Sequence, residues 1–262
     1  MTGTDTISAA FYDRIARYYD AENEFMTDDL PFYAALAEEN GDPILDVGCG
    51  TGRVMLHLAG LGYTAHGVDV SVEMLRRGER RAIARADLRD KCRFFTGDAA
   101  AHPYPTRYPL ILVPYNGFMH FRTLDGQIQA LKHWRDHLTE DGVIAFDLPN
   151  AGEVFAGGDD DTLTFERSFT EPESGGMVMQ FSLSRIDRTA QIQHISWVYD
   201  ETAADGVLRR TVAPLTLRYV FPAEFDLLLN ASGLAIQARY GDYEGGAFED
   251  GSQRMIVLAG RR

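Results

Sequence analysis

The sequence predicts an α/β protein with a seven-stranded, mostly parallel sheet and an antiparallel β insertion late in the chain. Three observations predict it. Short apolar runs alternate with helical patterns from Pro43 to Phe146. Four strand-like runs then follow between Thr162 and Tyr219 with no helix between them. A helical pattern and two further strands close the chain.

In order, residues 8–20 carry apolar and aromatic residues at helical spacing, and residues 28–40 read as a second helix capped by Asp28 or Asp29 and ended by Asn40-Gly41. Pro43 to Val47 is a short apolar strand that breaks into Gly48-Cys49-Gly50-Thr51-Gly52 and a helix to about Leu61. Thr64 to Val68 is the next strand, closing on Asp69, and Ser71 caps a helix to about Ala86. Cys92 to Thr96 is a third strand, followed by Gly97-Asp98-Ala99 and a Pro- and Tyr-rich loop over 103–109. Leu110 to Val113 is the fourth strand, 124–138 an amphipathic helix, 140–142 a turn, and Val143 to Phe146 the fifth strand, ending in Asp147. Residues 157–161 read as a flexible loop. The four strands of the insertion are 162–168, 177–186, 191–199 and 208–219, with turns at 187–190 and 205–206. A helix over 222–231 and strands over 235–240 and 255–259 complete the sheet. The expected units are a core over 1–155 and 220–262, and an antiparallel lid over 156–219.

Composition narrows the function. The chain has 262 residues, 45% hydrophobic and 24% charged, enough for a sizeable core. A formal net charge of −14 argues against a broad grip on nucleic acid, which needs Lys and Arg to neutralise phosphates. The two cysteines, Cys49 and Cys92, form no CxxC pair and no His cluster accompanies them, so neither a disulfide framework nor a metal site is expected. Residues 1–10 lack the basic and apolar regions of a signal peptide, and no apolar run approaches a membrane span. The expectation is a cytoplasmic enzyme with a small-molecule substrate.

The most informative stretch is Leu45-Asp46-Val47-Gly48-Cys49-Gly50-Thr51-Gly52. A strand feeds a glycine-rich turn that opens a helix, where a ligand can approach bare backbone. Asp69, at the end of the next strand, can accept both hydroxyls of a ribose, as the acid of dinucleotide folds does. A nucleotide-cofactor oxidoreductase using NAD is one alternative, but the third glycine comes one residue too early for GxGxxG. A non-catalytic cofactor-binding module is another.

LDVGCGTG resembles motif I of the class I S-adenosylmethionine-dependent methyltransferases, whose sheet is Rossmann-like. The resemblance implies S-adenosyl-L-methionine as cofactor, with Gly48 and Gly50 at its methionine part and Asp69 at its ribose; Asp46, just before the turn, is placed to accept from a ligand ammonium or to order the loop, and Val70 and Met74 complete the expected cofactor set. Gly97-Asp98-Ala99 resembles the adenine-contacting motif, so Asp98 and Ala99 join the set. Pro114-Tyr115-Asn116-Gly117-Phe118-Met119-His120 resembles the segment lining cofactor and substrate, which adds Tyr115 and Asn116. Tyr12, Ala16, Tyr19 and Asp20 resemble the YDxxAxxYD element that folds over the cofactor. The resemblance covers residues 11–150 well and 222–260 more loosely. The inserted sheet is similar to that of small-molecule enzymes of the family, including aminosugar N-methyltransferases and glycine N-methyltransferase-like enzymes, in which it covers the substrate and often joins a homodimer.

Methyl transfer from a sulfonium is an in-line displacement, so the protein must mainly align the nucleophile and exclude water. His120 is the first candidate for a catalytic or substrate-orienting residue, because it follows the fourth strand at the ligand end of the sheet. A packed histidine under the lid is the competing reading. Tyr12 and Tyr19 are placed to close over the sulfonium, Tyr12 being the second catalytic candidate. Asp147 reads first as a loop cap. Trp197, Tyr199, Arg218 and Tyr240 are the substrate-facing candidates, strand alternation putting Trp197 and Tyr199 on one face.

Overall fold

The computed structural model describes residues 3–156 and 160–262. The helices are α1 (Gly3–Glu22), α2 (Leu30–Asn40), α3 (Arg53–Gly60), α4 (Val72–Ala84), α5 (Leu124–Asp136), α6 (Ala151–Ala156) and α7 (Pro222–Ala231). The strands are β1 (Ile44–Val47), β2 (Ala65–Asp69), β3 (Cys92–Thr96), β4 (Tyr108–Val113), β5 (Leu138–Pro149), β6 (Asp160–Thr170), β7 (Met177–Asp187), β8 (Ile192–Thr202), β9 (Leu208–Arg218), β10 (Leu234–Tyr240) and β11 (Arg254–Arg261). One sheet has seven strands in the order β10-β11-β5-β4-β1-β2-β3, and a separate antiparallel sheet has the order β6-β7-β8-β9. In the large sheet β11 alone runs against its neighbours. β1 pairs in parallel with both β2 and β4. Connections therefore leave β1 and β4 in opposite directions, which opens a crevice beyond their carboxyl ends.

The strands form where the sequence is continuously apolar. β1 is buried along its whole length, as sheets covered by helices on both faces require. Ser71 caps α4 through its hydroxyl, which accepts from the Met74 amide. Asp29 stands at the start of α2 but makes no side-chain cap; its carboxylate is drawn instead to the Arg53 guanidinium.

Several boundaries differ from the sequence reading. β4 starts at Tyr108, inside the expected Pro-rich loop. Pro109 is tolerated there because the pairing with β5 shifts register between Tyr108 and Leu110, so no ladder N–H is demanded of it. α5 stops at Asp136, and β5 takes Leu138 and the expected turn, running as one strand to Pro149. α6 was not expected; Asn150 starts it, its side-chain carbonyl accepting from the Gly152 amide. α1 extends to Gly3, ahead of the expected start. Of the loop expected over 157–161, residues 157–159 lie outside the described residues, and Asp160 already begins β6.

Packing puts α1 between the two sheets. Phe11, Ile15 and Tyr18 belong to one buried cluster with Val47 and Val68 of the large sheet and Ile195, Tyr199, Leu215 and Leu217 of the small one. Polar ties fix the same helix at both sides. Arg17 pairs with Glu171 and Glu201, and the Tyr18 hydroxyl donates to Glu201 at 3.0 Å. On the opposite side, the Ser71 hydroxyl donates to Asp13 at 2.6 Å and the Thr51 hydroxyl to Asp20 at 2.6 Å. Phe118, Phe146 and Phe225 meet edge-to-face with centroids 5.1–5.7 Å apart, anchoring the 3₁₀ turn Gly117–His120 to β5 and α7.

Cys49 and Cys92 are free thiols. Burial pushes the Cys49 thiol well above its ordinary range, and its side chain packs against Gly67. A Cβ at Gly67 would stand 2.5 Å from Met55 Sδ and 2.6 Å from Cys49 Sγ. Gly67→Ala is therefore expected to destabilise the fold by about 1–3 kcal/mol. The check is urea unfolding, with a lowered midpoint and an unchanged slope.

Candidate active site

A cavity of about 420 Å³ fills the crevice beyond β1, β2 and β4. The large sheet and its loops supply one wall. α1 and the inner face of the small sheet supply the other, through residues such as Tyr12, Tyr19, Trp197 and Tyr199.

The glycine turn shapes the first wall. Gly48, Gly50 and Gly52 have φ of 69°, 55° and 82°, a region L side chains rarely adopt. The amides of Gly48 and Cys49 both donate to the Val68 carbonyl, clamping the turn onto β2. A Cβ on Gly48 would meet nothing within 4 Å, so its bare backbone faces open cavity. Met74 reaches back from α4 and packs its methyl against Gly50.

Carboxylates stand around this turn. Asp46 is almost wholly buried, and its Oδ2 accepts from the Met55 amide at 3.2 Å. Its Oδ1 is buried with no hydrogen-bond partner among the described residues. Burial pushes the Asp46 carboxyl up to about 7, with the Arg53 guanidinium pulling the other way. Asp69 accepts from the Gly50 amide through Oδ2 and from the Ser71 amide through Oδ1, both at 2.8 Å. Each oxygen keeps a further lone pair. Burial also raises Asp69, opposed by those backbone donors. Asp98 accepts from the Ala100 amide at 2.9 Å, and Val70, Asp98 and Ala99 line the cavity.

His120 and Tyr12 come together from positions 108 residues apart. Tyr12 Oη lies 3.1 Å from His120 Nε2, and Ser8 Oγ lies 3.1 Å from Nδ1. Burial, reinforced by Arg122, lowers the imidazole to about 4, and burial pushes the Tyr12 phenol well above its ordinary range. The ring is neutral at physiological pH, with one nitrogen donating and the other accepting. Both ring nitrogens are engaged and the basicity is low, so of the two roles expected of His120, catalytic or substrate-orienting, this geometry favours orientation. Tyr19 meets Tyr12 edge-to-face at 6.2 Å.

Tyr115 and Asn116 take positive φ of 37° and 69° and line the cavity. Asp147 holds them there. It accepts from the Tyr115 amide at 3.1 Å, from the Tyr243 hydroxyl at 2.8 Å, from the Tyr33 hydroxyl at 3.3 Å and from the Arg254 guanidinium. Arg254 also donates to the Asn116 side chain at 2.9 Å. Asp147 thus orders the loop behind the cavity, in keeping with its reading as a cap.

On the small-sheet side, Trp197 and Tyr199 share the inward face and line the cavity. Arg218 and Tyr240 do not, which corrects their placement as substrate-facing. The Arg218 side chain is buried away from the cavity against Glu224 and Gln127, and Tyr240 packs against Phe32. An even-numbered position on β9 points away from the face that carries Leu215 and Leu217. The sequence reading also passed over Glu22, which lines the cavity at the end of α1. Its helical spacing from Tyr12, Ile15 and Tyr19 was the available signal.

A family described as "Methyltransferase domain" matches residues 44–142. The putative methyltransferase YqeM of Bacillus subtilis (strain 168) is 23% identical over 187 residues, 66% of this chain and 70% of that protein. Among solved structures, the CcbJ methyltransferase from Streptomyces caelestis is 25% identical with a TM-score of 0.82, covering 97% of this chain and 98% of the other. An S-adenosylmethionine-dependent methyltransferase from Clostridium acetobutylicum ATCC 824 shares the fold at 18% identity, with a TM-score of 0.79 over 95% and 98%.

The His120 environment has a measurable consequence. By NMR titration its imidazole is expected to stay neutral down to about pH 4; a midpoint near 6.5 would contradict the burial described. Because the folded pKa is depressed, the stability His120 contributes is present above about pH 6.5, the ordinary value, and is lost as the pH falls toward 4.

Proposed function

We propose that this chain is a class I S-adenosylmethionine-dependent methyltransferase that moves the methyl group of that cofactor to a nucleophilic atom of a small molecule held between its two sheets. One observation carries the roles: the orphaned, buried Asp46 Oδ1 beside the bare Gly48 backbone and the Asp69 carboxylate. When bound, S-adenosylmethionine supplies an electrophilic methyl carbon on a sulfonium.

The residues fit that ligand. An ammonium at Asp46 Oδ1 would satisfy the lone acceptor and hold the carboxylate ionised. The spare lone pairs of Asp69 suit the two ribose hydroxyls, with Val70 and Met74 beside them. Asp98 and Ala99 suit the adenine edge. Tyr12 and Tyr19 present ring faces and hydroxyls to a sulfonium, and Tyr115 and Asn116 close the wall. The NAD reading has no support: the glycine that arrives early, Gly52, sits with φ 82° at the start of α3 rather than in a GxGxxG phosphate turn.

We read 1–155 with 220–262 as the cofactor-binding unit and 156–219 as the lid. Net charge supports a small-molecule acceptor rather than nucleic acid. Among the described residues, no helix is long and apolar enough to cross a membrane, and we place the enzyme in the cytoplasm on its sequence. A homodimer through the small sheet is supported by the large apolar side chains its strands leave exposed, Leu163, Phe165, Met179, Leu183 and Val212.

Two measurements test this reading. In isothermal titration calorimetry the protein is expected to bind S-adenosylmethionine and S-adenosylhomocysteine but not NAD. Asp69→Ala should weaken both adenosyl ligands by roughly tenfold to a hundredfold, the cost of charged hydrogen bonds; unchanged affinity would remove the ribose role. Light scattering should report a dimer that Phe165→Asp with Met179→Asp converts to monomer, and a monomeric wild type would sink the dimer.

A further inference from the structure

Among the described residues, four carboxylates line the cavity: Glu22, Asp46, Asp69 and Asp98. The last three stand at the carboxyl ends of β1, β2 and β3, around the glycine turn. Glu22 is different in origin and in support. It is the last residue of α1, and the small sheet holds it. The Gln180 side-chain amide on β7 donates to Oε1 at 2.6 Å, and the Tyr199 hydroxyl on β8 donates to Oε2 at 2.9 Å. Tyr199 is itself fixed by stacking on Tyr18, with centroids 4.9 Å apart and planes within 10°.

Both donors to Glu22 are neutral, and each carboxylate oxygen keeps a lone pair. The nearby guanidinium of Arg167 donates to the Glu22 backbone carbonyl, 3.0 Å away, and Arg53 is taken by Asp29. Burial raises the Glu22 carboxyl above its ordinary range, with Gln180, Tyr199 and Arg167 lowering it and Glu166 raising it. The small-sheet wall of the cavity is largely aromatic and apolar, with Ile195, Trp197, Leu215 and Tyr219 beside the polar Arg167 and Gln193.

A carboxylate held in place by neutral donors on a ring-lined wall is a receptor for a cation with an apolar body, through charge-assisted hydrogen bonds and ring faces. We propose that Glu22 receives the basic nitrogen of the acceptor, so that the small molecule methylated here is an amine. The inference rests on the methyl-transfer reading above. An amine arrives largely as ammonium, whose nitrogen has no free electron pair. Transfer of one proton converts R–NH₃⁺ and the Glu22 carboxylate into R–NH₂ and the carboxylic acid: an N–H bond breaks, an O–H bond forms, and the electron pair stays on nitrogen. The neutral amine is then the nucleophile, and the raised affinity of buried Glu22 for a proton favours the exchange.

Calorimetry on the protein saturated with S-adenosylhomocysteine tests this with matched probes: cyclohexylamine against cyclohexanol, benzylamine against benzyl alcohol, and glucosamine against glucose. The wild type is expected to bind amines at least tenfold more tightly than the matching alcohols. Glu22→Gln, which keeps a polar partner for Gln180 and Tyr199, should lower amine affinity at least tenfold and leave S-adenosylhomocysteine affinity within twofold. Equal binding of amines and alcohols, or no amine binding by the wild type, overturns the proposal. So does a fall in S-adenosylhomocysteine affinity on Glu22→Gln, which would assign the carboxylate to the cofactor. The wild-type comparison holds even if the variant fails to fold. Failure of the wild type to bind S-adenosylhomocysteine is a separate result and removes the underlying methyl-transfer reading.

Discussion

Burying α1 between two sheets is the constraint on which the site depends. Phe11, Ile15 and Tyr18 carry their rings and methyls into a cluster shared by both sheets. At about 1.5–3 kcal/mol for each fully buried large apolar side chain, that contact is strong enough to fix the helix's rotation about its axis. Once the rotation is fixed, the neighbouring stripe of Tyr12, Tyr19 and Glu22 must face the cavity, because residues three and four apart share a helix face. The same helix therefore supplies part of the core and one wall of the site. Its ion pairs to Glu171 and Glu201 and its hydrogen bonds to Ser71 and Thr51 set its position along the axis.

The opposite wall is governed by the cost of burying charge. A carboxylate taken out of water must find donors or give up its charge. Asp69 meets this with backbone amides that the glycine turn and α4 direct at it, and Asp147 with Arg254, two tyrosine hydroxyls and the Tyr115 amide. Asp46 meets it only in part, and its rise to about 7 reflects the shortfall. The compensated carboxylates hold their loops in place, whereas the under-compensated one keeps an acceptor without a donor among the described residues. Glu22, whose carboxylate oxygens accept from the neutral Gln180 and Tyr199, follows the same logic on the other side of the cavity.

Local patterns made much of the architecture readable. Alternating strands and helices, the turn at Gly48 to Gly52, the Ser71 cap and the insertion without helices each depend on short-range preferences, and each is found near its expected position. The misreadings share a cause. Pro109 enters β4 because a register shift with a strand some thirty residues away removes the need for its N–H. Leu138 to Gly142 joins β5 because the pairing of Leu138 with Tyr108 outweighs the local turn signal. Arg218 and Tyr240 were placed by strand type, while their facing was set by sheet packing.

By itself the sequence determined the order of elements, the glycine turn with Asp46 and Asp69 around it, and the chemistry of a cofactor-binding crevice. These follow from backbone conformations and residue types confined to short segments. Only the tertiary structure decided that Tyr12 and Ser8 engage both nitrogens of His120, that Arg254 and Tyr243 converge on Asp147, and that Glu22 sits under Gln180 and Tyr199. Those contacts join residues about a hundred or more positions apart. No local preference encodes them, because they come from the way one buried helix and two sheets pack around a shared core.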